Sequence, residues 1–146
     1  MGEVLDFLRL IWSLDHALQT LSKTMLGTIG VTGPQRLLLR MVARFPGLTA
    51  GNIATAMHLD RSTISGILKR LEKGGFLQRR RDDKDGRRTL VFLTARGRAI
   101  ASESSGTIEP LVERVLGTLS AEQVAATRLT LSRLAGAVQQ HTRGAE

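Results

Sequence analysis

Apolar residues along this chain change their spacing three times, and each change marks an element. Phe7, Ile11, Leu14, Leu18, Leu21 and Met25 follow one another at intervals of four, three, four, three and four. That heptad-like stripe predicts a helix from about Val4 to Ile29. Val4, Leu8, Leu10, Trp12 and Ala17 add apolar surface off the stripe, so one face does not hide everything. A core helix of a monomer is one reading. A subunit contact is the other, and the C-terminal stretch, which has the same character, favours it.

Val31-Thr32-Gly33-Pro34 is a helix start, with Thr32 or Gly33 as cap and Pro34 in the first turn, where a missing N–H is harmless. The helix runs from Gln35 to Phe45 with Leu37, Leu38, Met41, Val42 and Phe45 on its apolar face, and Pro46-Gly47 ends it. Thr49 caps a short helix carrying Ile53, Ala54 and Met57. His58-Leu59 turns the chain. Asp60 then caps a second helix whose Ile64, Ile67, Leu68 and Leu71 face inward, and Gly74-Gly75 stops it. Two short helices joined by such a turn form a helix-turn-helix.

The period changes to that of strands in residues 76–81 and 88–93, and between them Asp82-Asp83-Lys84-Asp85-Gly86-Arg87 is turn chemistry. Thr94 caps a further helix from Ala95. Ser104, Ser105, Gly106 and Pro110 predict a kink or break within 102–110. Leu111, Val112, Val115, Leu116 and Leu119 resume the apolar pattern. Ser120 with Gln123 makes a capping box for a last helix carrying Val124, Leu131, Leu134, Ala135 and Val138, with fraying expected over 141–146.

Charge sharpens this outline. Residues 60–98 hold twelve Lys/Arg against five Asp/Glu, a local surplus of seven in a chain whose whole net charge is +8. The polar side of the second helix of the pair shows Arg61, Ser62, Thr63, Ser65, Lys69 and Arg70, with no acid between Asp60 and Glu72. Small hydroxyls in the first turn and long cations beyond suit a helix whose head enters a major groove. A cationic hairpin directly after it is a wing, able to carry Arg87 or Lys84 into a minor groove. Double-stranded DNA is the expected partner.

The remaining composition narrows the function classes. The 146 residues fit one ordinary domain. Cysteine is absent, which removes disulfides, thiolate metal sites and thiol redox sensing. No apolar run reaches the roughly 18 residues of a membrane span, and the first residues lack the basic start of a secretory signal. A cytoplasmic location is the default, with no membrane partner. With one Trp, four Phe and no Tyr, stacking on single strands is not expected. His16, His58 and His141 are too scattered for a metal site. No G-x-S-x-G, phosphate loop or catalytic triad is found, so no enzyme and no cofactor is expected. A non-specific basic nucleic-acid-binding or architectural protein is the alternative, but it calls for cations spread over the whole surface.

The helix-turn-helix with Leu71-Glu72-Lys73-Gly74-Gly75-Phe76, followed by Asp85-Gly86-Arg87, Leu93-Thr94 and Gly97, resembles the multiple antibiotic resistance regulator (MarR) family of winged-helix transcription factors. The resemblance covers nearly the whole length. It implies a mainly α fold with a small β-hairpin wing, as one MarR-type domain over 1–146. Within it, 32–100 is the winged helix-turn-helix lobe, and 1–31 with 108–146 the helical dimerisation region. It implies a homodimer that binds an inverted-repeat operator, most often as a repressor. Asp85 would brace the wing and Arg87 would enter the minor groove, joined at the DNA by Arg81, Lys84 and Arg88. Release by a small aromatic or anionic inducer is a further family expectation, with Trp12, His16 and Arg40 as the candidate ligand-binding residues. Two departures stand out. His58 occupies a turn where Gly is frequent. Gly66 stands where relatives often carry a contacting side chain, at a propensity cost of about 1 kcal/mol against alanine.

Overall fold

The computed structural model describes residues 2–144. Its elements are α1 (Glu3–Ile29), α2 (Gly33–Arg44), β1 (Leu48–Thr49), α3 (Ala50–Met57), α4 (Arg61–Lys73), β2 (Leu77–Arg81), β3 (Thr89–Leu93), α5 (Ala95–Ser102), α6 (Glu109–Leu116) and α7 (Ala121–Arg143). The chain divides into two compact units, Met1–Ile108 and Glu109–Glu146.

In the first unit, caps and stops fall where the side chains call for them. Thr32 accepts from the Gln35 N–H, and the Gln35 side chain accepts from the Thr32 N–H, closing a capping box on α2. Thr49 and Asn52 repeat the device on α3. At the end of α4, the Phe76 N–H bonds the Leu71 carbonyl and the Gly75 N–H bonds that of Glu72, with Gly75 left-handed at φ 75°. This paired closure satisfies two carbonyls the helix would otherwise leave open. The same pattern closes α3 through Leu59 to Ala54 and His58 to Thr55. There His58 itself takes the left-handed conformation at φ 52°, so the histidine does a glycine's work.

The core gathers one face of each element: Leu38, Leu39 and Val42 of α2, Ile53 of α3, Ile64, Ile67, Leu68 and Leu71 of α4, and Leu77, Val91 and Leu93 of the sheet. The sheet has the order β1-β3-β2 and is antiparallel throughout, with Leu77 opposite Leu93 and Arg81 opposite Thr89. The hairpin is therefore the expected one, beginning one residue later, because Phe76 is used in closing α4. The pairing of β1 with β3, Leu48 opposite Val91, is an addition that the pattern did not predict. Two residues show no period, and Thr49 reads as a cap.

The expected irregularity after α5 is a complete break. α5 ends at Ser102, and the Glu103 carboxylate accepts the N–H groups of Ser104 and Ser105 at 2.9 and 2.8 Å, turning the chain out of the helix. In the second unit the Ser120–Gln123 capping box starts α7 as expected. α7 runs to Arg143, and Ala145 and Glu146, the end of the stretch expected to fray, lie outside the described residues. Large apolar side chains remain exposed on α1, among them Phe7 at 49%, Trp12 at 65% and Leu14 at 54%. Leu129, Leu131, Leu134 and Val138 of α7 are likewise exposed. No helix among the described residues is long and apolar enough to cross a membrane.

Candidate nucleic-acid interface

α4 buries Ile64, Ile67, Leu68 and Leu71 and turns Arg61, Ser62, Thr63, Ser65, Lys69 and Arg70 to solvent. Asp60 organises its head more tightly than a simple cap. One carboxylate oxygen accepts the Thr63 N–H at 2.8 Å and the Ser62 hydroxyl at 2.5 Å, and the other accepts the Thr63 hydroxyl at 2.6 Å. These bonds, from the Ser62 hydroxyl first and then from Thr63, hold the Asp60 carboxyl far below the usual carboxylate range. Their consequence for recognition is chemical. Both hydroxyl protons are committed, so Ser62 and Thr63 face outward as acceptors, whereas a free hydroxyl offers a donor as well. Ser65 is exposed beside them. Arg61 lies across the start of α3, where a Cβ on Gly51 would sit 3.4 Å from its Nη2.

The wing tip is braced by two aspartates. Asp85 accepts the Arg87 N–H at 3.1 Å and stands 3.5 Å from the Arg87 Nε. Asp82 accepts the Lys84 N–H at 2.9 Å and stands 3.7 Å from Arg88 Nη1. Backbone bonds between Asp82 and Arg88 and from Arg88 to Asp85 close the loop. The result is a short, stiff tip from which Arg87 projects with 94% of its side chain exposed. Lys84, Arg81 and Arg88 are exposed on the same hairpin. Asp82 is the brace that sequence reasoning missed; its spacing to Arg88 across the turn was the available signal.

Three cations of the basic segment also make contacts within the lobe. Arg79 is paired with Glu72. Arg96 donates to the Gly74 carbonyl at 2.9 Å and lies 4.4 Å over the Phe76 ring, and Arg98 donates to the Leu93 carbonyl at 3.2 Å. These three stitch α4, the sheet and α5 together while remaining exposed.

A family model described as MarR family matches residues 29–88, a span that holds every residue expected at DNA. The HTH-type transcriptional repressor Rv2887 of Mycobacterium tuberculosis is 31% identical over 109 residues, covering 75% of this chain and 78% of that protein. The chain belongs to the MarR family. MarR-family membership makes it a DNA-binding transcriptional regulator with a winged helix-turn-helix. The transcriptional regulator HosA of Escherichia coli O157:H7 is 33% identical over 93 residues, 64% of this chain and 69% of its own. Among solved structures, the PcaV regulator of Streptomyces coelicolor, in complex with its natural ligand, is 32% identical with a TM-score of 0.72 over 88% of this chain and 91% of its own. The MepR–DNA complex of S. aureus shares the fold at a TM-score of 0.75 and 22% identity, covering 90% of this chain and 97% of that one.

Trp12 and His16 are exposed one turn apart on α1, and Arg40 is exposed on α2. Among the described residues no group of three His, Cys, Asp or Glu converges as a metal site would.

Proposed function

We propose that this MarR-family regulator acts as a homodimer that recognises an inverted-repeat operator and represses transcription by covering a promoter. The observation that carries the reading is the pairing of an acid-free outer face on α4 with a braced wing tip that presents Arg87 to solvent. Two copies related by a two-fold axis would set two α4 helices in successive major grooves, about 34 Å apart. Arg61, Lys69, Arg70, Arg81, Lys84, Arg87 and Arg88 serve phosphates and groove walls, Asp85 positions Arg87, and Ser62, Thr63 and Ser65 approach base edges. The exposed apolar faces of α1 and α7 supply the subunit contact, which makes 1–31 and 108–146 the dimerisation region around a DNA lobe at 32–100. The chain has no catalytic role in this reading, and it works in the cytoplasm.

The repressor role is supported by the name of the Mycobacterium relative, and release by a small ligand by the ligand-bound PcaV structure. Trp12, His16 and Arg40 are the residues proposed to meet an aromatic or anionic inducer, with Arg40 opposite its negative charge. Titration of the protein against its own promoter fragment, with random duplex as competitor, tests the reading. Preference for the promoter that survives competition is expected. Equal binding to both duplexes favours the architectural alternative, and no binding at low ionic strength sinks both. Phenolic acids titrated against Trp12 fluorescence test the inducer site, where quenching accompanied by DNA release is expected.

A further inference from the structure

The outer face of α4 carries a residue that the chain's own packing does not explain. Gly66 stands in the middle of this thirteen-residue helix. Helical glycines usually have one of two reasons, and neither operates here. The backbone is not left-handed at Gly66, and beyond its chain neighbours and the helix's own backbone a Cβ built there meets nothing within 4 Å. Gly74 and Gly97 of the same lobe differ. A Cβ on Gly97 would lie 1.9 Å from the Phe76 carbonyl oxygen, and one on Gly74 would lie 2.7 Å from the Phe76 ring. Those two are required by the fold. Gly66 only weakens it, because glycine is the poorest helix former after proline.

Its position supplies the missing reason. Gly66 is four residues after Ser62, three after Thr63, and three and four before Lys69 and Arg70. It therefore lies on the stripe those exposed side chains define. Acceptors held by Asp60 stand on one side and cations on the other. Between them the helix has a notch with bare backbone as its floor. Glycine is used where another molecule must approach the backbone closely.

We infer that Gly66 is a specificity-determining residue: its missing side chain lets the α4 backbone seat directly against base edges in the major groove. This deepens the DNA reading proposed above and rests on it. A side chain at position 66 has two effects of opposite sign. It strengthens the helix, and it holds the helix away from the bases. The loose complex with random DNA is held by phosphates, needs no close seating and is little affected.

The test compares the full-length protein with Gly66→Ala and Gly66→Leu, reading thermal midpoint and fluorescence anisotropy on promoter-derived operator and on random duplex. For Gly66→Ala the midpoint rises, operator affinity falls at least tenfold, and random-duplex affinity changes less than twofold. Gly66→Leu loses more operator affinity than Gly66→Ala. Operator affinity that is unchanged or improved in both variants overturns the inference. So does a parallel loss on random duplex, which would put the new side chain against the sugar-phosphate backbone. Wild-type protein that fails to prefer its promoter is a different failure, that of the DNA reading itself.

Discussion

Glu72, in the last turn of α4, accepts the Arg79 Nε at 2.9 Å and its Nη2 at 2.5 Å through a single carboxylate oxygen. The pair crosses from the end of the helix to the root of the wing. It adds a polar tie to the Gly74-Gly75 turn and the shared core packing of Leu71 and Leu77, and so helps fix the angle between the two prongs proposed to hold DNA.

The bonds from Arg79 keep the Glu72 carboxyl below its ordinary value. A carboxyl whose folded value is depressed contributes stability in full above its unfolded value, about 4.3, and loses it as pH falls through the lower folded one. Both side chains are 37% exposed, so solvent screening limits the pair to about 0.5–1 kcal/mol. Glu72→Gln is expected to lower stability by that amount in urea denaturation at neutral pH, and by progressively less in acid below about pH 4. A deficit that does not vary with pH would assign the effect to packing instead of charge.

Arg87 makes its folded-state contacts only within the wing turn, and its guanidinium is almost wholly in solvent. Arg87→Ala is therefore expected to leave the thermal midpoint unchanged while weakening operator and random duplex alike. The slope of log affinity against log salt should become shallower by about 1 for each wing that loses a phosphate contact. An unchanged slope in anisotropy titrations across a range of salt would take Arg87 off the contact surface.

Gly97 sits in the first turn of α5 against Phe76, just before β2, and the Thr94 hydroxyl reaches the Gly75 carbonyl at 2.6 Å beside it. Because a Cβ at Gly97 would meet the Phe76 carbonyl, Gly97→Ala must push α5 off the sheet, at an expected cost of about 3 kcal/mol. The sign is opposite to that expected for Gly66→Ala. Chemical denaturation of the two variants side by side checks whether packing or propensity rules each position.

Most of this architecture was legible because its signals are local. The capping pair of Ser120 with Gln123, the stop at Gly74-Gly75 and the turn at Asp85-Gly86 each lie within a few residues, and all of them direct the chain as expected. What escaped depends on distant partners. Arg36, on which no sequence signal fell, is 1% exposed, with its Nη2 donating to the carbonyls of Glu103 and Ala101 at the end of α5. No spacing within α2 announces a contact sixty-five residues away. The bonds of Arg96 to Gly74 and of Arg98 to Leu93 escaped as well, although both side chains stay exposed. The Asp60 network was half legible: the cap follows from residue type, but the capture of both neighbouring hydroxyls follows only from geometry.

Phe7, Ile11, Leu14 and Leu18 of α1 repeat at four- and three-residue intervals and are all exposed, while Met25 near the other end of the same helix is buried. The helix thus changes role along its length. Its end belongs to the core of the first unit, and its beginning presents a face that a single copy leaves in water. Burying one such side chain is worth about 1.5–3 kcal/mol, so a two-fold contact through several of them holds a dimer firmly. Leu14→Asp combined with Leu18→Asp places charge in that seam without touching the DNA lobe. Light scattering is expected to move from dimer to monomer mass. Operator affinity should fall steeply, because a monomer engages one half-site alone. A double variant that stays dimeric would place the subunit contact elsewhere, with the exposed face of α7 next to be tested.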